Sequence, residues 1–378
     1  MEVAAVFSAL LTLGYVAMMI RYHIWWRRTP EFEIPQNFHP KTTVTVLIPA
    51  RNEANGIVDC LQGILRQNFP KERLQILVLD DHSTDRTAAL AAALPRVEVI
   101  YLNETPPPAG TVGFKKHAIT QGIARARGEL IVCTDADCIV PRDWLRHLCA
   151  AYEMYRPAFI AAPVTFTEEQ TAFQRFQSLD FLGMMGITGA GISGSFLYMA
   201  NGANLAYPKA VFEKVEGFGN DRRASGDDML LLQRIRERYP KGIFYLKNKA
   251  AAVQTRPVGN WSDFFQQRLR WGNKTGAYHD WQPKLLLGLA WLFCWSMLVN
   301  LLLGIFYRDA FLYVALFQFL AKFNVDFFFL ESVSRYFERK DLMRGYFTSQ
   351  LWHCWYILSV GTAAIFLKNY EWKGRRVR

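Results

Sequence analysis

The chain has 378 residues, 51% of them hydrophobic and 15% aromatic, with a formal net charge of +11. That length holds one large domain plus further elements, and the apolar residues gather towards the two ends, which excludes a uniformly water-soluble chain and argues for segments in a membrane. The basic excess crowds the edges of apolar stretches, at residues 21–28 and 368–378, where it suits an anionic lipid face and argues against nucleic acid as the partner.

Residues 3–20 are apolar, with no lysine or arginine before them and Arg21, Arg27 and Arg28 after. This charge order predicts a transmembrane anchor over residues 1–22, with its N-terminus outside and the next domain in the cytoplasm. Glu2 stands where a cleaved leader would carry a positive charge, which favours the anchor. Residues 23–42, with Pro30, Pro35 and Pro40, read as a linker. The six cysteines form no Cys-x-x-Cys pair and read as small buried hydrophobes in a reducing compartment.

From residue 44 short apolar runs alternate with helical periodicity. Residues 44–48, 76–79, 97–101 and 130–133 read as strands; Ile57, Leu61, Ile64 and Leu65 share one helical face, and further helices follow near residues 85 and 115. The alternation predicts an α/β fold over residues 43–280, a mostly parallel sheet with helices on both faces. In such sheets ligands bind beyond the carboxyl ends of the strands. Pro49, Ala50, Arg51 and Glu53 fall there, as do Asp80 with Asp81 and Asp135 with Asp137.

The last pair ends an apolar run with two carboxylates spaced i, i+2. Hard divalent cations take oxygen ligands and keep substrate phosphates in their shell, so the pattern points to a metal-diphosphate site; a solvated turn before Pro141 would use the same residues. Residues 159–164 read as another strand, followed by an amphipathic run with Phe173 and Phe176. The Gly-rich apolar stretch 179–199 is long enough to cross a bilayer, but a single crossing would separate Asp137 from Asp227 and Asp228. It therefore reads as a helix-and-loop element at the membrane surface or beneath the site. Asn201-Gly202-Ala203-Asn204 follows, and Gly226-Asp227-Asp228 opens a later helix. The C-terminal region, residues 284–368, holds two to three transmembrane helices, at 285–306, 311–330 and 346–367, with Lys322 and Asp326 spaced to pair. Three spans there would leave the basic tail, residues 369–378, outside, against the positive-inside tendency.

Asp80-Asp81, Asp135-Ala136-Asp137, Asp227-Asp228 and Gln267-Arg268-Leu269-Arg270-Trp271 stand in one order. The series resembles the membrane-integrated family 2 glycosyltransferases, the group of cellulose and hyaluronan synthases and ceramide glucosyltransferase, over residues 43–271. Residues 44–53 look like that family's nucleotide-binding first strand and loop, and residues 114–119 like its Lys-x-x-Ala-Leu element, where spacing to Ala118 selects Lys115. The resemblance implies a GT-A-type domain with transmembrane helices at both ends, a nucleotide-sugar donor with a UDP-sugar favoured, and Mg²⁺ or Mn²⁺. It implies that Asp81, with Asp80, accepts a hydrogen bond from the base. Asp135 reaches ribose or metal, Asp137 holds the cation on the diphosphate, and Asp228, beside Asp227, is the general base of an inverting transfer. Arg268 and Arg270 would neutralise diphosphate oxygens while Trp271, with Gln267 opening the motif, walls the sugar or acceptor; an interfacial aromatic belt accounts for the same residues without a ligand. The implied setting is the cytoplasmic face of the cell inner membrane, with a lipid or glycan acceptor. A processive polysaccharide synthase and a non-catalytic sugar-nucleotide-binding subunit are the rival readings. The Gln267-x-x-Arg270-Trp271 form favours a polymer, whereas the small number of spans favours a lipid receiving one or few sugars.

Overall fold

The structure, a computed structural model, describes residues 2–102, 113–219, 226–275, 280–367, 370–372 and 375–377. In chain order the elements are α1 (Glu2–Arg28), β1 (Val44–Ala50), α2 (Ile57–Leu65), β2 (Leu74–Asp80), α3 (Thr87–Ala92), β3 (Val97–Tyr101), α4 (Phe114–Arg125) and β4 (Leu130–Cys133). Then come α5 (Trp144–Tyr155), β5 (Phe159–Ala161), β6 (Val164–Phe166), α6 (Ala172–Ser193), β7 (Leu205–Pro208), α7 (Lys209–Lys214), α8 (Asp227–Arg238), β8 (Ile243–Tyr245) and β9 (Val253–Thr255). Helices α9 (Trp261–Thr275), α10 (Trp281–Phe306), α11 (Ala310–Tyr336) and α12 (Tyr346–Phe366) follow. The chain divides into two compact units, one helical (Met1–Thr29, Glu169–Leu197 and Pro257–Tyr370) and one built on the sheet (Pro30–Glu168, Tyr198–Arg256 and Glu371–Arg378).

The main sheet of the sheet unit has seven described strands in the order β3-β2-β1-β4-β7-β5-β8. All neighbours run parallel except β7, which is antiparallel to both β4 and β5. Val46, Leu47 and Ile48 of β1 and Ile131 and Val132 of β4 are wholly buried, the unbroken apolar run expected of a strand covered on both faces. On one face α2 buries Ile57, Cys60, Leu61 and Ile64 at helical spacing. Gly122 of α4 lies so close to the strands that a Cβ there would stand 2.9 Å from Leu79 and 3.1 Å from Leu47. That close approach fixes the first turn of α4, with Lys115, relative to the strand tips. From β1 the chain proceeds outward to β2 and β3 and then returns to the other side of β1 as β4. The switch point lies between the carboxyl ends of β1 and β4, the place where α/β sheets bind ligands.

Two local readings differ from the sequence expectation. The strand expected over residues 159–164 is two: β5 joins the main sheet, and beyond Pro163 β6 pairs instead with β9 in a separate two-stranded ribbon. Proline has no N–H for a ladder and marks the break. Strand β7, Leu-Ala-Tyr-Pro, lacks the β-branched run that marks β4 and ends in a proline, which hides it in the sequence.

Among the described residues of the helical unit three helices are long and apolar enough to cross a membrane, Ala4–Arg28, Trp281–Phe306 and Ala310–Tyr336. Helix α12, expected as a further span, is not among them; Thr348, Ser349, Gln350 and His353 dilute its apolar run. The stretch expected as a surface helix and loop is the last part of α6, a 22-residue helix that belongs to this unit. A Cβ on Gly183 would stand 2.9 Å from Leu330, and one on Gly186 would stand 2.6 Å from Val333 and 2.9 Å from Phe329, so α6 and α11 touch backbone to side chain along that edge.

A seam of buried polar groups runs between the candidate spans. Asn300 Nδ2 donates to Ser8 Oγ and to Gln318 Oε1 (both 2.9 Å), and Gln318 Nε2 donates to Ser296 Oγ at 3.1 Å. One to two turns further along α11, Lys322 and Asp326 form the expected i, i+4 pair, completed by Gln350 Oε1 on the ammonium (2.7 Å) and Tyr15 Oη–H on the carboxylate (2.9 Å). With every charged member partnered, burial of this pair is tolerable in an apolar surrounding.

Candidate active site

Six segments of the sheet unit supply the site. After β1 the chain turns through Asn52, at φ 52° in the left-handed region that asparagine tolerates, and Asn52 Oδ1 accepts the Thr84 N–H at 2.8 Å. Arg51 reaches across to donate to the carbonyls of Asp81 (2.8 Å) and His82 (3.1 Å), so it braces the loop after β2. The Glu53 N–H donates to Thr87 Oγ1 at 2.8 Å, which ties the same two loops together. Asp80 and Asp81 are both buried at the end of β2. His82 Nδ1 lies 3.0 Å from Asp81 Oδ1, while Asp80 Oδ1 finds no hydrogen-bond partner among the described residues. A buried acceptor of that kind calls for a donor from a ligand or water.

From the first turn of α4, Lys115 Nζ reaches Asp135 Oδ1 at 2.9 Å, and its next acid is Asp227 Oδ2 at 3.5 Å. Burial alone would lower the Lys115 pKa, but Asp135 and then Asp227 outweigh it and hold the ammonium well above the usual lysine range. Lys116 is buried on another side of the helix; it is Lys115 that faces the acids. Asp135 is half-exposed and Asp137 exposed beyond the end of β4. Gly226, at φ 92°, turns the chain into α8 so that Asp227 and Asp228 form its first turn, where carboxylates complement the helix dipole. Asp228 Oδ2 accepts the Gly202 N–H at 3.3 Å, and Oδ1 accepts the Met229 N–H at 2.8 Å. A small open cavity is lined here by Lys115, Gly202, Asp227 and Asp228 over an apolar floor that includes Cys133 and Leu231. Burial pushes the Cys133 thiol up to about 12, so it contributes no thiolate. All six cysteines are free and buried.

Of the residues singled out from the sequence, Lys115, Asp135, Asp227 and Asp228 converge on one cavity and its rim, which Pro49 near the end of β1 also lines, while Ala50 ends β1, Asp80 ends β2, and Arg51, Glu53 and Asp81 belong to the linked loops that follow. Gln267, Arg268, Arg270 and Trp271 belong to the helical unit, on α9. Arg268 has a partner within its own unit. Its side chain is 3% exposed and donates to Asp180 Oδ2 at 2.9 Å, with Phe264 and Trp271 against its guanidinium face at 4.7 and 4.3 Å. Tyr356 donates to the other carboxylate oxygen of Asp180 at 3.0 Å. A guanidinium so enclosed is engaged inside its own unit, whereas Arg270 and Trp271 are only half-buried. Sequence reasoning missed Asp180, although a lone acid in an apolar stretch was its signal, and it missed the contact of Gly202 with Asp228.

The donor set around Asp135 and Asp137 fits a hard cation. The carboxylates offer oxygen only, the donor that hard divalent cations take.

The mostly parallel sheet, with acids gathered at its switch point, has a fold of the GT-A type. Residues 45–216 match the model of glycosyl transferase family 2. A probable glycosyltransferase of Bacillus subtilis, YdaM, is 26% identical over 275 residues, 69% of this chain and 64% of that protein. A beta-monoglucosyldiacylglycerol synthase of Synechocystis is 32% identical over 113 residues, 29% of this chain and 22% of the relative. The chain thus spans less than two thirds of either relative. Among solved structures, the mannosyltransferase PcManGT of Pyrobaculum calidifontis, in complex with GDP-Man and Mn²⁺, superposes with a TM-score of 0.56 at 18% identity, covering 97% of this chain and 99% of that one, a likeness of fold.

Proposed function

We propose that the protein is a membrane-bound, metal-dependent, inverting glycosyltransferase that moves a sugar from a nucleotide-sugar donor, a UDP-sugar foremost, to the hydroxyl of a lipid acceptor. The observation that carries this reading is the meeting of Lys115 with Asp135 and Asp227 beside Asp228 in one cavity. Asp80 and Asp81 take the N–H groups of the base. Asp135 and Asp137 would hold Mg²⁺ or Mn²⁺, which when bound offsets negative charge on the diphosphate. The Lys115 ammonium adds fixed positive charge for the same leaving group. Asp228 accepts the proton of the acceptor hydroxyl as that oxygen bonds to the anomeric carbon, while the bond from that carbon to the diphosphate oxygen breaks on the opposite face. Arg270 and Trp271 enter by resemblance, as partners of diphosphate and sugar. The lipid acceptor is supported by three helices suited to a bilayer and by a relative named for a glucosyldiacylglycerol.

Membranes carrying the protein, given radiolabelled UDP- and GDP-sugars, should pass label into a chloroform-methanol-soluble product of low mass. EDTA or Asp137→Asn should reduce transfer by about 10²-fold or more. Label held in high-molecular-weight, glycosidase-sensitive material would replace the lipid reading with polymer synthesis, and full activity in EDTA would remove the metal.

The same reading takes α1, α10 and α11 as the spans and sets the catalytic unit at the cytoplasmic face of the inner membrane. Without a crossing by α12 the basic residues of the tail remain inside, in accord with the positive-inside tendency that three C-terminal spans would break. A cysteine placed at Val377 should resist an impermeant thiol reagent in intact cells and react after lysis. Labelling in intact cells would restore the third C-terminal span.

A further inference from the structure

Asn201-Gly202-Ala203-Asn204 stands out in the sequence and has no part in the reaction as described so far. Asn204 is wholly buried, and every hydrogen-bonding group it has is used. Trp144 Nε1–H donates to its Oδ1 at 2.8 Å, and its Nδ2 donates to the carbonyls of Pro163 (2.7 Å) and Ala251 (2.9 Å). Its own N–H donates to the Asn201 carbonyl at 3.0 Å, and its carbonyl accepts the Ala162 N–H at 3.1 Å. One amide therefore joins the start of α5, the β5–β6 junction, the turn before β9 and its own loop. At the other end of the loop Asn201 Oδ1 accepts the Ala203 N–H at 3.0 Å, a side-chain-closed turn. Between these anchors the Gly202 N–H points at Asp228 Oδ2, 3.3 Å away. A Cβ on Gly202 would stand 3.2 Å from Lys115 Nζ and 3.9 Å from Asp228 Oδ2, so the loop backbone itself forms a wall of the cavity.

We infer that this turn, anchored by Asn204, is the positioning element of the general base: it holds the Asp228 carboxylate in place through the Gly202 N–H. The inference rests on Asp228 being the base. A side chain at the start of a helix has several rotamers open to it, and a fixed N–H on one oxygen selects among them. Three buried groups depend on the Asn204 side chain, so the anchor is stiff; removing it would orphan the Trp144 N–H and two carbonyls, each costly to bury.

Because Asn204→Ala removes all of those bonds and risks the fold, the test uses Asn201→Ala, which opens the turn, and Trp144→Phe, which deletes one anchor bond. Both should lower kcat by about tenfold or more, since small displacements of a catalytic group are costly, with UDP affinity by calorimetry and the donor KM within about twofold of wild type. Asn201→Ser, whose hydroxyl can still close the turn, should recover most of kcat. Equal loss of UDP affinity and kcat in both variants, or unchanged kcat in both, would overturn the inference. Asp228→Asn, measured alongside, separates the two levels: if that variant transfers normally the base assignment itself fails, and if it is inactive while Asn201→Ala is not, only the positioning role fails.

Discussion

Asp228→Asn should lower sugar transfer by about 10²–10⁴-fold while UDP binding stays within about twofold of wild type. The substitution is isosteric: one of the two N–H donors, Gly202 or Met229, keeps an oxygen while the other faces the new amide, and Lys115 still has Asp135 and Asp227. What disappears is the basicity needed when the acceptor hydroxyl gives up its proton. Steady-state transfer and calorimetry with UDP on the purified protein separate the outcomes; a many-fold loss of UDP affinity at unchanged turnover would move Asp228 to the donor side.

Arg268→Ala should destabilise the helical unit by ~3–5 kcal/mol, the range for removing one partner of a buried ion pair. Asp180 would be left buried with Tyr356 as its close hydrogen-bond donor and His353 Nε2 at 3.9 Å, and the faces of Phe264 and Trp271 would lose the cation between them. The double variant Asp180→Asn with Arg268→Gln, neutral on both sides, should regain much of that loss. Thermal unfolding in detergent measures both. An Arg268→Ala protein that melts like wild type but has lost donor affinity would return Arg268 to the diphosphate.

The sheet was legible because its central strands are covered on both faces and so carry unbroken apolar runs, and because the acids stand where those runs stop. Lys115 is chosen over Lys116 through the resemblance, by its spacing to Ala118 in the Lys-x-x-Ala-Leu element, and Lys115 faces Asp135. What stayed hidden depends on partners far apart in the chain. Arg268 and Asp180 are 88 residues apart, and no local pattern distinguishes a guanidinium reserved for a buried carboxylate from one offered to a phosphate. Asn204 likewise draws its meaning from Trp144, Pro163 and Ala251, which only the fold brings to it. Helix α6 was read by its hydropathy, yet it is the fit of Gly183 and Gly186 to α11 that assigns it to the helical unit.

That fit also sets a timetable for biosynthesis. Gly183 and Gly186 leave the ribosome well before Leu330 and Val333, the side chains that cover them. At about 5–20 residues per second the interval is roughly 7–30 s. Throughout it the glycine edge of α6 has no mate, and the sheet meanwhile awaits β7 and β8, which are translated after α6. Neither unit can close before the ribosome has begun the other, so a chain arrested between α9 and α11 presents an open helical edge to lipid, insertase or protease.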